Sequence, residues 1–227
     1  MEFRTLKANE IDCRVAQIDE KWLSLLLYKD ARADMDVLDE CVGCMNWKRE
    51  HLRDNANCIV SIWNNDIGQW VSKEDTGTES FSEAEKGLAS DSFKRACVNW
   101  GIGRELYTAP NIFIKPKDDK EFFKKDNGKY DTKTRFWVEY IDYNDDHEIQ
   151  NLIIRDRKNL VRFTMLTTDK EKELSKIDVE LQKLINSGEE DTRDKVLKFY
   201  KAKSYDELLI EQKKEAIKKL KAERDGK

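Results

Sequence analysis

The sequence predicts an α+β protein followed by a small charged helical module, and three observations carry that prediction. Ala56, Cys58, Val60 and Ile62 alternate with Asn57, Ile59, Ser61 and Trp63, the period of two that a strand requires. Ala89, Phe93, Ala96, Cys97 and Trp100 fall on one stripe at a period of 3.6, the mark of an amphipathic helix. The composition then changes near Met165. All six tryptophans, both histidines, both prolines and all five cysteines precede it, and Lys, Glu, Asp, Leu and Ile in helical spacing follow.

Taken in order, Trp22–Tyr28 is a short apolar run that reads as a buried strand. Residues 33–42 read as a short helix through Met35, Leu38 and Val42, with Gly43 ending it. Residues 47–53 form a further strand, and 56–63 pair with 69–76 across the turn Asn64-Asn-Asp-Ile-Gly68 to give a hairpin. In the next helix Ser82 and Glu85 make a capping box, each side chain satisfying an amide that lacks an intrahelical acceptor. Gly101 and Gly103 stop it. Residues 129–165 alternate around the turn Asn144-Asp-Asp-His147, which predicts a second β-hairpin. In the tail, Ile177, Leu181, Leu184 and Ile185 define one helix and Val196, Leu197, Phe199 and Tyr200 a second. Residues 204–222 form a third. The expected division is a core at 1–165, net charge −5, and a helical module at 166–227, net charge +1.

Of the 227 residues, 39% are charged, yet the net charge is only −4. No strongly basic domain announces nucleic acid, so binding to phosphates would require basic residues gathered in one groove with acids elsewhere. No run of about 18 apolar residues exists, which predicts no membrane span. The N-terminus, Met1-Glu-Phe-Arg-Thr-Leu-Lys, lacks the apolar stretch of a signal peptide. Five scattered cysteines predict reduced thiols and a cytoplasmic location.

Beside the stripe of the 82–100 helix stands the pair Lys94-Arg95, with Ser90 one turn before Lys94 and Asp91 one turn before Arg95. Two readings stand open on this helix alone. The pair can complement the macrodipole near the C-terminus, or it can hold phosphates.

The stretch Leu88-Ala-Ser-Asp-Ser-Phe-Lys-Arg-Ala-Cys-Val-Asn-Trp-Gly101 resembles the core helix of the Rad52 superfamily, where a Lys-Arg-Ala helix ends in an aromatic–Gly pair. Asp39-Glu-Cys-Val-Gly-Cys-Met-Asn-Trp47 is similar to that family's short helix closing on Gly-x-x-x-Trp. Ile11-Asp-Cys-Arg14 fits its N-terminal segment, and Glu-Asp-Thr-Gly77 its last strand before the helix. The resemblance spans roughly residues 9–110, in the family's order, and is nearest to the phage-encoded, Sak-type single-strand annealing proteins.

It implies ATP-independent binding of single-stranded DNA and annealing of complementary strands in phage-type recombination and repair. It also implies a homo-oligomeric ring with the DNA in a basic outer groove, no cofactor, no metal and no enzymatic step. Arg14, Ser90, Lys94 and Arg95 match the family's groove residues. Val98 stands where the family often has a further basic residue, and Leu27 near the place of a tyrosine; Lys29, Arg32, Lys48, Arg49 and Arg104 are the candidates to replace that charge.

Other patterns have readings of their own. Cys41-Val-Gly-Cys44 has the spacing of half a zinc site, or supplies small core thiols. Glu83, Glu85 and Lys86 suggest a fragment of a metal nuclease, although the capping box also explains Glu85. Trp63 and Trp70 flank the hairpin turn, where base stacking, subunit contact and cross-strand packing are all open. Lys115–Lys125 is a basic loop broken by acids, and the tail helices offer a docking module for a single-stranded-DNA-binding or replication protein. The alternatives to annealing are a coating protein, a metal-dependent nuclease and a scaffold.

Overall fold

The computed structural model describes residues 2–78 and 84–225; the Ser82–Glu85 capping box and the Glu83, Glu85 and Lys86 side chains lie outside what is described. The elements run β1 (Asp12–Ile18), β2 (Leu23–Tyr28), α1 (Ala31–Val42), β3 (Trp47–Leu52), β4 (Asn57–Asn64), β5 (Gln69–Thr76) and α2 (Ala84–Trp100). They continue with β6 (Ile112–Ile114), β7 (Phe122–Lys124), β8 (Tyr130–Thr132), β9 (Phe136–Tyr143), β10 (Ile149–Asp156), β11 (Val161–Met165), α3 (Thr168–Asn186), α4 (Thr192–Phe199) and α5 (Ile210–Asp225). The sheets are β3-β4-β5, β7-β8 and a six-stranded sheet in the order β11-β10-β9-β1-β2-β6. The class is α+β, as the periodicities predict.

Two compact units divide the chain. The first comprises Met1–Arg14, Leu25–Asn111 and Tyr143–Ile149, and the second Val15–Ser24, Ile112–Asp142 and Gln150–Lys227.

In the first unit α1 starts at Ala31, two residues earlier than its apolar spacing suggests. The Asp30 carboxylate accepts hydrogen bonds from the Arg32 and Ala33 amides at 2.8 and 3.0 Å, so the cap sets the start. The buried face is Ala33, Asp34, Val37 and Leu38, rotated from the expected Met35, Leu38 and Val42 because a carboxylate is buried with it.

Strands β3, β4 and β5 pair antiparallel in a register that places Trp47, Arg49 and His51 opposite Ile62, Val60 and Cys58. On the other side these three β4 residues meet Val71, Lys73 and Asp75. Side chains alternate between the faces of a sheet, so these nine share one face. Buried Phe93, Ala96 and Cys97 of α2 pack on that face, where Trp47 stacks on Phe93 with centroids 6.1 Å apart.

The exit from β5 runs hard against α2. A Cβ added at Gly77 would lie 2.6 Å from the Ser92 nitrogen and 2.8 Å from the Leu88 carbonyl oxygen, backbone atoms on a helix that cannot yield. Gly77→Ala is therefore expected to lose about 2 kcal/mol in chemical denaturation, within the usual cost of overpacking. A loss below about 0.5 kcal/mol would show that this crossing relaxes.

The second unit corrects the single hairpin expected over 129–165: four strands occupy it, with β8 paired to β7 rather than continuing into β9. The turn at Asn144–His147, which belongs to the first unit, is present, its Asn144 side chain accepting from the Asp146 and Glu148 amides at 3.0 and 2.8 Å. The three tail helices enclose a small core of Leu181, Val196, Leu208, Ala216 and Ile217. The third begins at Ile210 rather than Ser204. Buried Arg155 donates to the carbonyls of Asp206 and Leu208, which withdraws both from helical bonding. The Arg155 guanidinium also pairs with Glu139, whose side chain is nearly inaccessible, and Glu139 accepts the Ile210 amide at 2.7 Å. Phe199, on the expected stripe, is exposed instead, with the Lys219 ammonium 3.9 Å from its ring centroid.

Candidate nucleic-acid interface

The apolar stripe of α2 fixes which of its side chains remain available. With Phe93, Ala96 and Cys97 buried against the sheet, Arg95 is exposed while Ser90 and Lys94 sit half-buried on the flanks. Arg95 is held by its Nε, which donates to Asp91 at 3.1 Å; the Thr78 amide donates to the same carboxylate oxygen at 2.9 Å. The hydrogen bond to Asp91 raises the Arg95 pKa further above its ordinary value. Both Arg95 Nη groups lack a partner among the described residues, leaving a planar fork suited to two phosphate oxygens. The Lys94 ammonium likewise has no ion pair among the described residues.

The helix dipole is served by other cations. Lys73 Nζ donates to the Asn99 carbonyl at 2.8 Å, and Arg104 Nη2 to the carbonyls of Val98 and Asn99 at 3.0 and 3.3 Å. Neither Lys94 nor Arg95 lies in the last turn, where the dipole interaction is concentrated. Arg104 also brings a guanidinium to Val98, one turn beyond Lys94.

The remaining basic candidates separate. Arg14 on β1 is exposed and has no ion pair among the described residues. Arg32 on α1 is exposed and held loosely by Asp30 at 3.2 Å. Arg49 shares the α2 face of the sheet, its guanidinium 4.8 Å from the Phe93 ring centroid. Lys48, adjacent in sequence, projects from the opposite face, where its ammonium stands 4.8 Å from the Trp70 ring. One groove cannot take both from this strand. Trp63 and Trp70 form a cross-strand pair with an edge-on contact at 5.6 Å.

Lys29 leaves the set of groove cations. It is 5% exposed and ion-paired with Asp34, which is 0% exposed, and its Nζ donates to the Lys94 carbonyl at 3.4 Å. Its stem fills the space a side chain at Gly103 would take: a Cβ there would lie 2.2 Å from Lys29 Cε, at a backbone φ of +72°. Burial pushes the Asp34 carboxyl up to about 7, against the opposing pull of Lys29. Asp34 Oδ2 has no hydrogen-bond partner among the described residues. The pair is a strut that ties α1 to the backbone of α2 directly beneath Lys94.

Residues 55–124 match the family model described as Rad52/22 family double-strand break repair protein. The matched segment runs from β4 through α2 to the end of β7 and contains Ser90, Lys94, Arg95 and Arg104. Arg14, Lys29, Arg32, Lys48 and Arg49 precede it. No curated protein and no solved structure matches the chain.

Two aromatic side chains escaped the sequence reading. Tyr107 is 76% exposed and within electrostatic reach of Arg95. Tyr28, next to Leu27, is partly exposed and within electrostatic reach of Arg14. Neither belongs to a periodic stripe, and their signal lies only in these basic neighbours. Cys41 and Cys44 are exposed while Cys58 and Cys97 are buried. Burial pushes the Cys58 thiol up to about 11, as befits a core thiol. Among the described residues no group of three or more His, Cys, Asp or Glu side chains is placed to hold a metal ion. No described helix is long and apolar enough to cross a membrane.

Proposed function

We propose that this protein binds single-stranded DNA and anneals complementary strands without ATP, in phage-type homologous recombination and repair, acting in the cytoplasm as a ring-forming homo-oligomer. One observation carries the reading. Lys94 and Arg95 stand outside the buried stripe of α2 and outside its last turn, within the segment that matches a double-strand break repair family.

In this reading Lys94 and the free fork of Arg95 take backbone phosphates, and the Ser90 hydroxyl donates to one. Arg104 supplies the charge that Val98 lacks, and Arg14, Arg32, and either Lys48 or Arg49 extend the track. Gripping the backbone leaves base edges free to pair, which annealing requires. Exposed Tyr107 offers a ring for stacking. Residues 1–165 are assigned DNA binding and oligomerisation, and 166–227 the docking of a single-stranded-DNA-binding or replication protein.

The test mixes purified protein with two complementary labelled oligonucleotides, without ATP or metal, and follows duplex formation. The expected result is faster pairing of the complementary pair alone, with binding that weakens steeply as salt rises. Tight binding without faster pairing would make this a coating protein, and magnesium-dependent cleavage a nuclease. No binding at moderate salt would sink the reading.

A further inference from the structure

A second basic site lies in the other unit, where Lys117, Asp118, Lys120, Glu121, Phe123, Lys133–Thr134 and Asp156–Lys158 line an open cleft of about 460 Å³. Two of its acids, Glu121 and Asp156, are already paired. Arg162 Nη1 donates to Glu121 Oε1 at 2.6 Å and to Asp156 Oδ2 at 3.1 Å, while Lys117 pairs with the same Asp156 oxygen. Glu121 also accepts the Thr134 hydroxyl at 2.9 Å and the Lys117 amide at 2.6 Å; Asp156 accepts the Lys158 amide at 2.8 Å. Arg162, Glu121 and Asp156 are nearly inaccessible at their side chains. Against the cost of burial, Arg162 holds the Glu121 carboxyl below the usual carboxylate range, and Lys117 does the same for Asp156. Two cations thus neutralise two carboxylates and pin the 115–134 segment to β10 and β11. The Arg162–Lys115 carbonyl bond at 2.8 Å reinforces this.

Four further cations remain at the cleft: Lys120, Lys133, Arg157 and Lys158, all exposed and none ion-paired among the described residues. Asp118 is the remaining acid of the lining, which leaves a net charge of +2 on the lining residues, or +3 with Arg162 counted, in a chain whose total is −4. The Phe123 ring lies beside them, 5.9 Å from the Lys133 ammonium. We infer that this cleft is a second binding site for the phosphodiester backbone of single-stranded nucleic acid, held by Lys120, Lys133, Arg157 and Lys158, with Phe123 available to a base. The inference rests on the single-stranded-DNA reading but not on α2. A rigid neutral floor carrying several free cations and one aromatic ring suits a flexible chain of phosphates. An acidic peptide would use the charges and leave the ring idle.

The deciding experiment titrates labelled oligo-dT into the full chain over a range of salt concentrations, by fluorescence anisotropy. Three proteins are compared: the native one, a Lys94→Ala/Arg95→Ala variant, and a variant with Lys120, Lys133, Arg157 and Lys158 all changed to Gln. The expected result for the cleft variant is about tenfold weaker binding at low salt and a log–log salt slope shallower by about 3, since each phosphate contact on a single strand contributes about 0.7. The four side chains are exposed, and an unchanged thermal melt confirms folding. A variant with the three lysines changed to Arg should keep the slope. An unchanged slope in the Gln variant, with binding lost in the Lys94/Arg95 variant, overturns the cleft and spares the proposed function. Absence of binding by the native protein overturns both. Cleft-dependent binding of poly-glutamate, with oligo-dT unaffected, would assign the site to an acidic peptide instead.

Discussion

Replacing Lys94 and Arg95 together by alanine lowers affinity for single-stranded DNA by about 100-fold or more, with oligomeric state and thermal stability retained. The size follows from two charge-assisted hydrogen bonds to phosphate at about 1.5–3 kcal/mol each, where 1.4 kcal/mol is tenfold. The stability follows from position, since neither side chain belongs to the buried stripe and the only ion pair lost among the described residues is the half-exposed Arg95–Asp91 contact. Anisotropy with labelled oligo-dT checks the first expectation, and light scattering with a thermal melt checks the second. Native-like binding and annealing by this variant would show that DNA does not lie along α2.

Asp34→Ala gives the largest loss of stability in the first unit, about 3–5 kcal/mol by urea denaturation. It leaves the buried Lys29 ammonium without its ion partner, its remaining hydrogen bond among the described residues being the one to the Lys94 carbonyl at 3.4 Å. Lys29→Met combined with Asp34→Leu is expected to recover most of that loss, because well-packed apolar residues often replace a buried ion pair without cost. Asp34→Ala should also weaken DNA binding, since the strut sets the path of α2 beneath Lys94, and the double replacement should restore part of it. A loss under about 1 kcal/mol for Asp34→Ala would mean that water reaches Lys29 and that the pair carries little.

Much of the architecture was readable because it rests on periodicity. The alternation at Ala56–Trp63 and the stripe from Ala89 to Trp100 each specify an element and the face it buries. Where a polar group decides the outcome, the pattern misleads. Asp30 starts α1 early by capping it, and Arg155 delays α5 by taking two carbonyls from residues more than 50 positions away. Lys29 looks like any surface lysine in Tyr-Lys-Asp-Ala-Arg-Ala-Asp; its burial follows from Asp34 turning inward one turn into α1, which no spacing rule anticipates. Lys48 and Arg49 could have been separated in advance, because neighbours on a strand face opposite ways. Arg104, by contrast, reaches Val98 only through the turn made at Gly101 and Gly103, so its proximity to the missing charge emerges in three dimensions alone.

The Arg155–Glu139 contact bears on how such a chain can be inherited. A gene fusion or deletion breaking after Met165 would preserve every strand, yet it would strip Arg155 of the Asp206 and Leu208 carbonyls and Glu139 of the Ile210 amide. Two charged groups fitted to a dry setting would meet solvent with part of their coordination gone. The tail therefore cannot be traded between lineages as an independent cassette unless Glu139 and Arg155 change with it. Its evolutionary fate is tied to two residues that precede it in the gene.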